Sequence, residues 1–187
     1  YPFAARTALT YSGPSATFAL SKDSQNITMD ESGGLYSKRE DGLHLIRMLD
    51  ESTSYYEVAL GTIAIDADAF ANHPSIAEVD LPSSISVVGE AAFKNCHMLR
   101  RVKITEGLHK IGKEAFLDTS LESVVIPSTL EEIGQNALVT RGSRHGNQAP
   151  TLHSIEVSPG NPKFYTNGGL LLERKNERTS KIVVCMD

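Results

Sequence analysis

The sequence predicts an α/β solenoid, in which successive coils of similar sequence stack on one another and share a core. The first observation is a fixed period, because Phe70, Phe93 and Phe116 are each 23 residues apart and Leu138 follows 22 residues later. The second is that other apolar positions repeat with the same steps, as in the set Ile65, Val88, Ile111, Ile133 and the set Val58, Leu81, Ile104, Ile126. One such unit cannot bury its apolar residues alone, so the period indicates stacking.

The composition excludes several classes of protein. The 187 residues are 40% hydrophobic and carry a net charge of −5, which is typical of a folded domain. The acidic balance argues against a nucleic-acid binder. No apolar run approaches the roughly 18 residues that cross a bilayer, so we expect no membrane insertion. The chain begins without an initiator Met or a signal-peptide pattern, which favours a processed or excised piece.

Two hairpins are predicted to flank the repeats. Residues 1–24 form an N-terminal segment without a clear role. Within residues 25–55, two short apolar runs surround the turn at Asp41-Gly42 and predict a capping hairpin. A related passage, from Gly168-Gly169 to Cys185, predicts a second hairpin within residues 161–187. A stack of strands has open edges, so we expect these hairpins to cover them.

Each repeat within residues 56–160 follows the same order of elements. Alternation of apolar and polar residues from Leu99 to Ile104 predicts a strand with one buried face. Pro82 and Pro127 end the equivalent strands. The stretch from Ile111 to Phe116 is too short for a real helix and predicts a 3₁₀ or helical turn on the convex side. Glycines at positions 89, 112 and 134 indicate a close approach or a backbone conformation that a Cβ would hinder.

A long loop interrupts the last repeats. The apolar position after Leu138 is Leu152, 14 residues later, where earlier repeats need five or six. The extra residues 139–150 include Arg141, Arg144 and His145 and form a locally basic, exposed loop. Either this loop contacts an acidic partner, or it is a tolerated insertion.

The outward residues of the predicted strands form columns that could bind a ligand. Because neighbouring strands lie ~4.8 Å apart, we expect Asp80 beside Lys103 and Glu78 beside Arg101. One interpretation is a charged face for a protein partner, and the other is ion pairing between strands on a solvated sheet. The candidate ligand face comprises Glu57, Glu78, Asp80, Arg101, Lys103, Val125 and Glu156.

Catalytic and metal sites are not expected. His73, Cys96 and Thr119 occupy one equivalent position in successive coils, which brings a base near a thiol. A cysteine nucleophile also needs an orienting group and an oxyanion site, and this position is expected inside the coil. The six histidines form no zinc motif, and no phosphate-binding glycine loop is present, so we expect neither metal nor cofactor. An enzyme built on Cys96 and His73 remains a remote alternative.

The repeat and hairpin sequences carry a resemblance to a known family. "LPSSISVVGEAAFKNCHMLRRVKI" and "IPSTLEEIGQNAL" resemble repeats of the BspA-like (TpLRR) leucine-rich repeat family, and "NPKFYTNGGLLLE" and "GGLYSKREDGLHLIR" resemble its hairpin segments. The resemblance covers roughly residues 27–187, with departures at Asp66, His73, Thr119 and Leu138. It implies a right-handed leucine-rich-repeat solenoid with short parallel strands. It also implies a bacterial cell-surface or secreted, non-enzymatic adhesion module that binds host or bacterial proteins. The alternative is a structural spacer in a larger surface protein that binds elsewhere.

Overall fold

A computed structural model describes residues 26–140 and 151–185. This part of the chain contains fifteen β-strands and no α-helix, and therefore has no helix that could cross a bilayer. In chain order the strands are β1 (Ile27–Met29), β2 (Gly34–Lys38), β3 (Leu43–Met48), β4 (Tyr55–Glu57), β5 (Thr62–Ile65), β6 (Glu78–Asp80), β7 (Val87–Val88), β8 (Arg101–Lys103), β9 (Lys110–Ile111), β10 (Ser123–Ile126), β11 (Glu132–Ile133), β12 (Ser154–Val157), β13 (Phe164–Asn167), β14 (Leu170–Arg174) and β15 (Ser180–Cys185).

The coils contribute strands to two sets of parallel pairs. The first ladder contains β4, β6 and β8, followed by the separate pair β10 and β12. The second ladder contains β5, β7, β9 and β11. Each step joins equivalent residues, so that Tyr56 lies beside Val79 and Val79 beside Val102. The predicted solenoid of short parallel strands is therefore confirmed.

A column of phenylalanines forms the centre of the core. Phe70, Phe93 and Phe116 are at most 1% exposed. Their ring centroids are 4.7 Å and then 5.2 Å apart, with interplanar angles of 16° and 6°. Tyr56 meets the first ring edge-on at 5.7 Å, and Leu138 is 2% exposed near the other end. Burial of large apolar surface and ring stacking both stabilise the stack.

The stretch around each phenylalanine is not helical, so the predicted 3₁₀ or helical turns, and the α/β class with them, are wrong. Successive β-turns occur instead, as His73 N donates to Phe70 O at 2.9 Å while Phe70 N donates to Ala92 O of the next coil at 2.7 Å. Residues with a left-handed backbone conformation interrupt these stretches, and a right-handed helix excludes that conformation. They are Asp68, Asn72, Ala91, Asn95, Glu114, Asp118 and Asn136. The described chain is a β-solenoid whose turns also bond from coil to coil.

The repeated glycine allows two coils to approach closely, as expected. A Cβ on Gly112 would lie 2.6 Å from Glu90 N. Asp66 takes the place of this glycine in the first coil, where the N-terminal hairpin precedes it. Its carboxylate accepts hydrogen bonds from Arg39 and lies 3.0 Å from His44 Nδ1. The departure from the repeat pattern therefore ties the hairpin to the first coil.

The N-terminal hairpin is present as β2 and β3 and extends the second ladder, because β3 pairs in parallel with β5. Hydroxyl groups between the hairpin and the first coil anchor it. Tyr36 OH and Tyr56 OH are 2.6 Å apart, and Tyr56 OH donates to Asp30 Oδ2 at 2.5 Å. Burial, followed by these hydrogen bonds, raises the pKa of Tyr56. This hairpin, followed by β1, covers the edge of β5.

The C-terminal hairpin is present as β14 and β15, but it does not extend a ladder. Together with β13 it forms a separate antiparallel sheet. Phe164 and Leu171 are buried with the core of the coils, and Asn161 Nδ2 donates to Pro127 O at 2.7 Å. This sheet covers the end of the core without pairing with β11 or β12. The domain boundaries after residues 24, 55 and 160 stay predictions.

Candidate functional site

The outward side chains of the first ladder form the sheet face, which is the candidate site. They lie in register, because Tyr55 pairs with Glu78 and Glu78 with Arg101, while Glu57 pairs with Asp80 and Asp80 with Lys103. On the second pair of strands, Ser123 pairs with Ser154 and Val125 with Glu156. The sheet face therefore comprises Tyr55, Glu57, Glu78, Asp80, Arg101, Lys103, Ser123, Val125, Ser154 and Glu156.

The expected ion pairs across the sheet face are present. Arg101 Nη2 lies 2.5 Å from Glu78 Oε2, and Lys103 Nζ lies 3.8 Å from Asp80 Oδ2. The Arg101 and Lys103 side chains are 63% and 66% exposed, so each pair stabilises the fold by only about 0–1 kcal/mol. Comparable pairs link coils along the second ladder, for example Lys110 Nζ to a Glu132 carboxylate oxygen at 3.0 Å. Ion pairing alone therefore does not mark the sheet face as functional.

The charges of the sheet face are arranged in bands, one strand after another. Strands β4 and β6 present acidic side chains, β8 presents two basic ones, and β10 presents the neutral pair Ser123 and Val125. Val125 is 46% exposed and Tyr55 is 49% exposed. Partial desolvation, followed by the nearby Asp80 carboxylate, raises the pKa of Tyr55. Acidic, basic and apolar surfaces thus lie within five adjacent strands.

Tyr55 was missed by the sequence prediction. It lies two residues before Glu57 on a strand and is equivalent to Glu78 in the next coil. The alternation of the strand was therefore the signal that could have placed it on the sheet face. An exposed tyrosine combines apolar area with a hydrogen-bonding hydroxyl, a combination that is enriched in protein interfaces.

The first ladder is interrupted between β8 and β10, which corrects the expected continuous columns. Val58 N donates to Asp80 O at 3.0 Å and Leu81 N to Lys103 O at 3.2 Å, but Ile104 N makes no such bond to β10 in the described part of the chain. We call this interruption the seam. It contains a hollow of about 400 Å³ that is lined by Asp80, Arg101, Val102, Lys103, Ile104, Ser123 and Val125.

A one-residue shortening accompanies the seam. Two residues separate Cys96 from Leu99 at the turn before β8, whereas one residue separates Thr119 from Leu121 at the turn before β10. The turn before β10 is therefore one residue shorter than the turn before β8. Strand β10 consequently begins at a different position relative to its neighbour than β8 does. Glu122 N still donates to Arg100 O at 3.2 Å, so the strands stay joined where they begin and separate toward their ends.

The candidate loop residues Arg141, Arg144 and His145 lie outside the described residues, so their role stays a prediction. A second hollow, of about 380 Å³, lies near the ends of this loop and is lined by Arg100, Ser120, Glu122, Thr151 and His153. The buried Thr151 Oγ1 in its wall has no hydrogen-bond partner in the described part of the chain.

The position shared by His73 and Cys96 is a buried corner. Cys96 is 0% exposed, its Sγ donates to Phe70 O at 3.0 Å, and burial raises the pKa of its thiol to about 12. His73 Nε2 lies 2.7 Å from Asp50 O, and Nδ1 accepts a hydrogen bond from Ile76 N at 3.0 Å. Both ring nitrogens are therefore occupied, and burial lowers the pKa of His73. The geometry does not fit a thiolate nucleophile with a free base.

Ligands for a metal are likewise not assembled in the described ranges. Residues 26–140 and 151–185 contain no group of three His, Cys, Asp or Glu side chains placed to hold an ion. His44 lies between two carboxylates, because its Nδ1 is 3.0 Å from Asp66 and its Nε2 is 3.1 Å from Asp41. Arg39 bonds to the same Asp66, so the cluster serves to attach the hairpin.

The fold and repeats resemble those of known proteins. A family model described as a BspA type leucine-rich repeat region matches residues 52–143 in six copies, whereas no curated protein matches the sequence. A leucine-rich repeat protein from Bacteroides capillosus is 19% identical, with a TM-score of 0.57, covering 72% of this chain and 99% of that chain. The T. pallidum leucine-rich repeat protein TpLRR is 21% identical, with a TM-score of 0.51, covering 68% and 81%. These similarities concern the fold.

Proposed function

The chain is a BspA-type leucine-rich repeat protein, and from this premise we propose that it is a non-enzymatic recognition module of a cell-surface or secreted protein. It binds a protein partner through the sheet face. The location rests on the family resemblance. The binding role is supported by one observation above all, which is that ten outward side chains lie in register on one face and combine bands of opposite charge with exposed Tyr55 and Val125.

Physical reasons favour a macromolecular partner over a small molecule. The sheet face is broad and its hollows are open and shallow in character, whereas small-molecule sites usually enclose most of the ligand. Repeat proteins use extended surfaces of this kind for partners. Adjacent surfaces of opposite charge provide specificity and raise association rates more than they raise affinity.

A binding assay with charge-reversal variants tests the proposal. We would immobilise host matrix proteins and bacterial surface proteins and measure binding of the wild type and of Arg101→Glu/Lys103→Glu. Loss of two interfacial charge pairs should weaken binding by roughly tenfold or more. The matched control is Lys110→Glu/Lys113→Glu, which reverses two cations of comparable exposure along the second ladder.

Two outcomes contradict the use of the sheet face. Equal weakening by both double variants would indicate a nonspecific effect of net charge. Unchanged binding of the sheet-face variant would remove this face from the proposal, and would favour the alternative of a structural spacer, in which coil-to-coil ion pairs only hold the solenoid together. Deletion of residues 141–146 in the same assay would test the candidate loop separately.

A further inference from the structure

We infer that the seam between β8 and β10 is a subsite for an acidic, extended segment of the protein partner. This inference rests on the proposed function and specifies the chemistry of the partner. Two independent features of the seam carry it. One is a pair of cations that is balanced on one flank only, and the other is a break in the strand pairing of the first ladder.

In the described part of the chain, the ion pairs of the β8 cations are both made toward β6. On that flank Glu78 and Asp80 lie in register with Arg101 and Lys103. The flank toward β10 presents Ser123 and Val125, which carry no charge. A guanidinium has five N–H donors in a planar fork, and the single Nη2 contact to Glu78 leaves donors for a second carboxylate. The cations can therefore bind an added acidic side chain without breaking their existing pairs.

The backbone at the seam is suited to an extended segment. Strands β8 and β10 are not hydrogen-bonded into one sheet, and the half-buried Ile104 N–H makes no bond to Val125 in the described chain. This unpaired backbone N–H can donate to a carbonyl group of an extended segment that lies across the seam. The hollow of about 400 Å³ at this place provides the opening, and the exposed Val125 provides apolar contact.

An acidic peptide fits this environment better than a nucleic acid does. Phosphates would also bind to Arg101 and Lys103, but the neighbouring strands β4 and β6 present Glu57, Glu78 and Asp80. A nucleic-acid backbone has a charge on every nucleotide and would meet these carboxylates along its path. A short segment with one or two carboxylates can place its charges at β8 and leave neutral residues elsewhere.

The test uses synthetic peptides as probes. The acidic probe is a fluorescently labelled decapeptide of eight Thr and two central Glu residues, and the controls are the same peptide with Lys in place of Glu and a single-stranded oligonucleotide of similar charge. Binding is followed by fluorescence anisotropy and by amide chemical shifts of the full chain. We expect the acidic probe to bind, to shift the amides of Val102, Ile104, Ser123 and Val125, and to weaken as salt rises because exposed charges are screened.

Variants of Val125 separate seam binding from a general charge effect. Val125→Glu places a carboxylate beside the β8 cations and competes with the probe, whereas Val125→Gln has the same shape without the charge. The position is exposed, so both variants should keep the thermal unfolding midpoint of the wild type. We expect Val125→Glu to bind the acidic probe about fivefold more weakly than Val125→Gln, the size of one surface ion pair.

The outcomes distinguish this inference from the proposed function. Equal binding by Val125→Glu and Val125→Gln, or shifts confined to the second ladder, would overturn the seam as a subsite. Tighter binding of the oligonucleotide than of the acidic peptide would overturn the choice of occupant. If Arg101→Glu/Lys103→Glu lost the protein partner while both Val125 variants kept it equally, the sheet face would stand and the seam would not.

Discussion

The substitution Phe93→Ala is the most stringent test of whether the coils share one core. Phe93 is 0% exposed and stacks against rings on both sides, at centroid distances of 4.7 and 5.2 Å. A buried Phe→Ala change costs about 3–5 kcal/mol, and because two aromatic stacks are lost as well, we expect the upper end of this range. This loss is a large share of a typical total stability of about 5–15 kcal/mol.

The assay is urea unfolding followed by circular dichroism, with two control variants. Phe93→Leu copies the leucine that the fourth coil has at Leu138, so it should cost much less than Phe93→Ala. Leu60→Ala changes a side chain that is 84% exposed, and it should stay within about 0.5 kcal/mol of the wild type. A cost for Phe93→Ala as small as that of Leu60→Ala would refute the shared aromatic column.

Two further predictions concern buried titratable groups. Because burial lowers the pKa of His73, the unfolded chain binds this proton more tightly, so the free energy of unfolding should fall as the pH drops below about 6.5. The variant His73→Thr introduces the residue that the equivalent position has at Thr119. It should remove the contribution of His73 to the pH dependence of the free energy of unfolding, measured by urea titrations between about pH 7.5 and pH 5. An unchanged pH dependence would show that other groups cause it. Burial raises the pKa of Cys96 to about 12, so in a Cys185→Ser background a thiol reagent should react with the urea-unfolded chain and not with the native one. Rapid labelling of the native protein would show that this corner is open.

The parts of the fold that depend on the period were predictable. The step of 23 residues places Glu78 beside Arg101 and Asp80 beside Lys103, and the structure has both pairs in that register. The same step identifies the stacked rings of Phe70, Phe93 and Phe116. Periodicity is informative here because a residue that is buried in one coil must be buried in the next for the stack to have a continuous core.

The turns around the phenylalanines were not predictable from spacing alone. Short apolar patterns such as Ile111 to Phe116 suit a helical turn and a chain of β-turns equally well. The choice depends on left-handed backbone at positions such as Ala91 and Glu114, with φ of 52° and 55°. Neither residue type favours that conformation by itself, so the bonds to the neighbouring coil impose it.

The seam and the attachment of the N-terminal hairpin could not be predicted from the sequence for a different reason. The shorter step of 22 residues is visible in the sequence. The sequence does not show whether the missing residue only shortens a turn or also interrupts the strand pairing. Only the coordinates show that β8 and β10 separate. Likewise, the departure at Asp66 is visible, but its partners Arg39 and His44 lie on a hairpin whose position relative to the first coil has no period to define it.

The claim that the first ladder is the recognition surface is tested most directly by hydrogen–deuterium exchange of the full chain, alone and bound to a protein partner found in the binding panel. We expect slower exchange on binding in the peptides that contain β6, β8 and β10, and unchanged exchange in those that contain β7, β9 and β11. Protection confined to the second ladder, or to the C-terminal sheet, would contradict it.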